Sequence, residues 1–323
     1  MSAALMSGPS QALRGHGAML VFSLAVSGSF SLGSLIANAI SPSALTGVRF
    51  LIAAVLLGIL VGTLPNAGRG GRRGFVRADL AGFWRYVLLA VLYGGYFVLM
   101  FEGLKTASPV STGAVFTLTP LMAALFAWPL LGQRLRTRTA LALLVGASGA
   151  VWVIFRGDPA ALLRFEVGRG EVIFFTGCIL HALYAPMMRL LNRGESPLVT
   201  AALVTLAGFV LLAAYGWRDL RATDWTALSL LVWGVVLYLV IAATALATAM
   251  LQFAAQRLPS SRVMAYTYLT PVWIIGWELA LGHGVPGLEV LPGIALITLA
   301  LVLLMRADPP VTGPRQGGNR AKT

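Results

Sequence analysis

Ten apolar runs, most of them roughly 20 residues long and separated by short polar breaks, fill nearly the whole chain. A helix rises about 1.5 Å per residue, so a run of that length crosses the ~30 Å hydrocarbon core of a bilayer. Inside that core every backbone N–H and C=O must be satisfied within the segment, which leaves helices as the solution for runs of this kind. The runs lie at about 17–38, 42–62, 83–104, 109–132, 138–156, 170–192, 196–216, 228–255, 260–282 and 287–306. The breaks are turn or loop chemistry: SPS (41–43), LPNAGRGGRRG (64–74), SP (108–109), GQRLRTRT (132–139), RGESP (193–197) and LPSS (258–261). The expectation is an all-α integral membrane protein with ten transmembrane helices. Only 11% of the residues are charged, against about 25% in soluble domains.

The start of the chain has some features of a secretory signal, with Arg14, an apolar run and IANA at 36–39. The run from 17 to 38 exceeds the usual ~7–15-residue signal core, so a retained first span is expected.

A formal charge of +13 points to nucleic acid only where the basic residues line one face of a soluble domain. Here they sit between apolar runs. Assigning the loops alternately to two sides places 17 Lys and Arg on the side of the N-terminus and 6 on the other, with Arg49 inside a span. The positive-inside rule then puts both termini in the cytoplasm of a cell with the protein in its inner membrane, and excludes a nucleic-acid partner. Residues 1–16 read as a cytoplasmic tail and 307–323 as a disordered one.

The triplet LTP occurs at 118–120 and again at 269–271, and Ala114 and Leu118 meet Ala265 and Leu269 at the same offset. SPSALTGVRF (41–50) and SPLVTAALVT (196–205) each open a repeat's second span. The chain therefore divides into a five-span repeat at 17–156, a linker at 157–169 and a second five-span repeat at 170–306. Five is odd, so the two copies enter the membrane from opposite faces. Inverted repeats of this sort frame the midplane sites of many secondary transporters.

ALTGVRFLIAAVLL (44–57), VSTGAVFTLTPLMAALFAWPLLGQRL (110–135), ALLVGASGAVWVI (142–154) and YLTPVWIIGWELALGHG (268–284) resemble the drug/metabolite transporter superfamily, in particular its ten-helix EamA-type members. The resemblance covers roughly 17–306. It implies alternating access around a cavity lined by the first, third and fourth spans of each repeat, and outward movement of a small amphipathic metabolite such as an amino acid. Members often carry Gly-Glu where each fourth span ends. This chain reads Gly132-Gln133 and Gly282-His283 instead.

An ionisable residue within a span costs at least ~2.5–3.5 kcal/mol at the bilayer centre and is by default a functional candidate. Three qualify: Arg49, Glu102 and Glu278. All three fall in the outer third, and Arg49 is expected to pair with one of the carboxylates. Glu278 is the candidate for proton coupling. Tyr93 with Tyr96, and His181 with Tyr184, each share a helix face at a spacing of three, and together with Tyr238 and Tyr266 they are the expected lining of the substrate site. Pro120 and Pro271, each within an LTP triplet, break the backbone ladder and are candidate hinges.

Enzyme chemistry has little support. GASG (146–149) has the form used by intramembrane serine proteases, with Ser148 as nucleophile and His181 as base, yet Ala142, Gly146 and Ala150 read as a small-residue packing stripe. Neither a large loop nor an added domain marks the chain as an accessory subunit. The three histidines are scattered, Cys178 is the sole cysteine, and no phosphate-binding loop is present. No metal, no cofactor and no catalytic residue is expected, and the partners are a small solute and the lipid.

Overall fold

Serine followed by proline is a strong instruction to start a helix. The serine side chain accepts an otherwise orphaned N–H of the first turn, and proline takes a position that has no N–H to lose. Ser41 accepts from Ala44 at 3.3 Å, Ser108 from Ser111 at 3.2 Å and Ser196 from Val199 at 3.2 Å, each with proline at the first helical turn. Gly132 ends the fourth span at φ +65°, a left-handed conformation that glycine adopts without steric cost.

The computed structural model describes residues 9–132, 136–164, 166–255, 257, 258, 263, 265–284 and 287–306, and no strand occurs among them. The expectations for 1–8, Gln133, Ser260, Ser261 and 307–323 lie outside these residues. The spans are Pro9–Ile36, Pro42–Thr63, Trp84–Gly103, Pro109–Phe116 continued by Thr119–Leu131, Thr137–Ile154, Arg169–Leu191, Pro197–Tyr215, Leu230–Val240 continued by Ile241–Leu246 and Ala247–Ala255, Tyr266–Leu269 continued by Thr270–Ala280, and Leu291–Arg306. Among the described residues nine helices are long and apolar enough to cross a membrane, and the ninth run supplies the tenth crossing in two pieces.

The first span begins eight residues before the apolar run does. Its polar opening turn is held by tertiary contacts: Arg257 donates to Gln11 at 3.2 Å, and His16 shares a hydrogen bond with Tyr266 at 2.8 Å. Ala12 and Met305 pack against one cluster with Leu258 and Tyr266, so the two ends of the membrane-spanning region lie on the same face.

Packing between spans repeats with a period of five. The second span packs on the seventh and the fifth on the tenth. The third and fourth pack on the sixth, just as the eighth and ninth pack on the first. Each repeat therefore lends its first span to the other, and the packing units are not the two sequence halves. The crossings follow the same rule. A Cβ on Gly103 would lie 2.7 Å from the Gly170 carbonyl, and at the equivalent crossing a Cβ on Gly15 would lie 2.9 Å from Leu258. Where the fifth and tenth spans meet, Gly149 and Gly293 bring backbones so close that a Cβ on either would sit 2.6–2.7 Å from the other's carbonyl. In lipid, close backbone approach at small residues is a main source of helix association.

Both LTP triplets break their spans. Pro120 and Pro271 each stand in the first turn of a new helical segment. The fourth span passes its break through short-range bonds, Thr117 N to the Ala114 carbonyl at 3.0 Å and Leu118 N to that of Val115 at 3.1 Å.

Candidate functional site

The third span presents Tyr93, Tyr96 and Phe97 on one side, because positions three and four apart share a helix face. The sixth span meets it with His181 and Tyr184. Gly95 admits the approach, since a Cβ there would come within 2.8 Å of Leu180. Tyr93 lies between two rings, stacked on Phe50 at 5.7 Å and on Tyr184 at 4.9 Å. The His181 ring sits 4.4 Å from Tyr96 and 5.7 Å from Phe116, which borders the break in the fourth span. Tyr93, His181 and Tyr184 are surrounded by protein yet keep part of their surface accessible. The His181 Nδ1 is buried with no hydrogen-bond partner among the described residues.

Four of the six residues expected to line a substrate site thus converge. Tyr238 and Tyr266 belong to the other packing unit. The Tyr238 hydroxyl donates to the Ala25 carbonyl at 2.9 Å and its ring meets Trp277 edge-on at 5.9 Å. Tyr266 shares its hydrogen bond with His16 near the terminal face.

Arg49 reaches into the same region and is 1% exposed. Its guanidinium carbon lies 3.9 Å from the centroid of the Phe97 ring, and its Nη2 donates to Thr244 Oγ1 at 3.0 Å. It pairs with neither carboxylate, contrary to expectation. Glu102 is bound by Lys105 one turn away at 2.6 Å and is partly exposed, as suits an interfacial pair. Glu278 faces His283 Nδ1 at 3.0 Å, and its other oxygen is buried without a partner.

Thr244 was not legible as a site residue. It lies in a widened turn, Ile241–Leu246, where its hydroxyl also donates five residues back to the Leu239 carbonyl at 2.8 Å. Such turns are rare and recur at functional sites, but IAATAL carries no signal that announces one. Glu171 was missed too. It is 6% exposed in the first turn of the sixth span and accepts from Ser111 at 2.9 Å.

The terminal face carries a second buried polar cluster. Arg85 Nη2 lies 2.9 Å from Glu195 Oε1, with the two side chains 2% and 1% exposed. Arg85 also donates to the carbonyls of Leu191 at 2.7 Å and Ala81 at 2.9 Å. Arg69 lies 3.7 Å from both Asp79 and Glu195. Burial alone would raise the Glu195 carboxyl, but the hydrogen bonds from Arg85 and from the Arg193 backbone outweigh it and hold that carboxyl below its usual range. The cluster joins the loop between the second and third spans to the loop between the sixth and seventh, one from each repeat.

Ser148 and His181 are apart. Ser148 is exposed and returns its hydroxyl to the Leu144 carbonyl at 3.0 Å, while His181 is held among aromatic rings. The stripe that contains Ser148's neighbours is packing: Ala142 and Ala150 are fully buried, and a Cβ on Gly146 would collide with Tyr268.

The uncharacterized transporter YyaM of Bacillus subtilis (strain 168) is 25% identical over 281 residues, 86% of this chain and 90% of its own. The uncharacterized transporter YetK of the same organism is 24% identical over 256 residues, 76% of this chain and 73% of its own. A solved crystal structure aligns over 92% of this chain and 96% of its own length with a TM-score of 0.64 at 24% identity, a likeness that speaks for the fold alone. The EamA-like transporter family matches residues 13–155 and again 168–306, one match to each five-span repeat. By these matches, which cover both repeats, the chain belongs to the EamA-like transporter family.

Proposed function

We propose that this transporter exports a small amphipathic metabolite, such as an amino acid, by alternating access, either driven by an ion gradient or facilitative. The observation that carries the reading is the group of Tyr93, Tyr96, His181 and Tyr184, three of which keep accessible surface and one of which, His181, has an unused ring nitrogen, set beside the break in the fourth span. A site of that kind is apolar with a few polar points, which suits a solute having both characters. The interleaved packing supplies two units, and Pro120 and Pro271 are the hinges at which their broken spans bend. The Arg69–Asp79–Arg85–Glu195 cluster is the latch that closes the terminal face. Arginine bias in the loops supports a cytoplasmic assignment for that face and the inner membrane as the location. Glu278, paired with His283 at the opposite end of its span, is the proton-coupling candidate.

Reconstitution in proteoliposomes tests this. Uptake is screened with amino acids, sugars and cationic drugs, with and without a proton gradient. Saturable flux of at least one amphipathic solute is expected, and none across the panel defeats the reading.

A further inference from the structure

Arg49 is a cation buried among the helices, and no anion among the described residues pairs with it. Its Nε and Nη1, three N–H groups between them, meet no acceptor, and only Nη2 is spent, on a neutral threonine. The carboxylates carried by the spans are occupied elsewhere: Glu102 by Lys105, Glu171 by Ser111 and Glu278 by His283. Phe97 offers a ring face, which attracts a guanidinium but accepts none of those protons along its plane. A charge kept desolvated at this depth is costly unless something else completes it. Its neighbours identify the missing group's surroundings: the Phe97 ring beneath the guanidinium lies 4.8 Å from Tyr93 and 4.8 Å from Tyr96, and both belong to the aromatic group described above.

We propose that Arg49, steadied by Thr244 and Phe97, is the subsite for the carboxylate of the transported solute, with the Tyr93–Tyr96–Tyr184 rings taking its apolar part. This rests on the transport reading and narrows its cargo to a carboxylate-bearing class. Guanidinium is matched to carboxylate in charge and in donor geometry. The widened turn acquires a reason: it turns Thr244 toward Arg49, fixing one end of the guanidinium and leaving the rest for a ligand.

The test uses purified full-length protein and thermal melting, independent of flux. The probes are 3-phenylpropionate, its neutral amide, phenethylamine and sodium chloride alone. In the wild type, 3-phenylpropionate is expected to raise Tm and the other three are not. Arg49→Met is expected to weaken the carboxylate effect by about 10- to 100-fold, the worth of one charge-assisted contact. Arg49→Lys retains part of it. Without ligand, Arg49→Met is expected to melt at or above the wild-type temperature, because it removes an uncompensated charge. A lower melting temperature for ligand-free Arg49→Met makes Arg49 a structural tie and overturns the proposal. So does an equal response to acid and amide, a response to chloride alone that Arg49→Met abolishes, or no response to any probe. Carboxylate binding without flux of any solute would instead count against the transport reading and leave the subsite standing. Flux confined to solutes lacking a carboxylate would do the reverse.

Discussion

Removing the charge of Glu195 tests the latch. Glu195→Gln keeps the shape and leaves Arg85 buried, 2% exposed, with carbonyls of Ala81, Leu191 and Gly82 still in reach. Breaking a buried ion pair by neutralising one partner costs about 3–5 kcal/mol. The remaining carbonyl bonds and the position near an aqueous face argue for the lower end, ~3 kcal/mol. If the pair holds the terminal face shut, that energy is withdrawn from the shut form only, and the open form gains roughly 100-fold in population at ~1.4 kcal/mol per decade. Cys178 reports this directly. It is fully buried on the sixth span, one turn from His181, so maleimide reaches it only when the packing around it opens. Labelling in membranes is expected to accelerate by about 100-fold in Glu195→Gln and by less in the Arg85→Met, Glu195→Gln double variant, which also removes the buried charge that the single change leaves unpaired. The wild type should show the same opening in acid. The Glu195 carboxyl is held below its usual 4.5 in the folded protein, so its contribution is complete above that value and disappears as pH falls through the lowered one. Labelling rates normalised to unfolded protein should therefore stay flat near neutrality and rise only in strong acid. If Glu195→Gln lowers Tm while Cys178 labelling stays within about 3-fold of wild type, the cluster is a brace and the latch is wrong.

Four further outcomes are expected. Gly103→Ala places a Cβ 2.7 Å from the Gly170 carbonyl and should lower Tm, whereas Gly58→Ala, with nothing within 4 Å, should leave it unchanged. Tyr184→Ala should weaken cargo binding in the melting assay, while Tyr266→Phe, which loses only the bond to His16, should cost ~1 kcal/mol of stability and leave binding intact. Glu278→Gln should insert normally and transport without dependence on a pH gradient; unchanged dependence removes Glu278 from coupling. Ser148→Ala should transport like the wild type, and a fluorophosphonate probe should leave Ser148 unlabelled, since its hydroxyl is bonded to its own helix.

Much of this protein is written locally. Run length against bilayer thickness yields the ten crossings, Ser-Pro pairs mark where helices begin, and the recurrence of LTP with SP reveals two copies. Spacing of three puts Tyr93 beside Tyr96 and His181 beside Tyr184, so their convergence needs only the two spans to meet. The small-residue stripe through Gly146 is likewise visible before any fold is known. What local pattern does not contain is the rotation of each span about its axis. In water an apolar stripe shows which face turns inward. In lipid both the outer and inner faces are apolar, and that signal fades. Hence only the tertiary structure shows each repeat lending its first span to the other, Thr244 meeting Arg49 across 195 positions, Arg85 joining Glu195, and Arg49 standing apart from the carboxylates. Those pairings are decided by how whole helices rotate and cross, and no neighbouring residue in the chain records it.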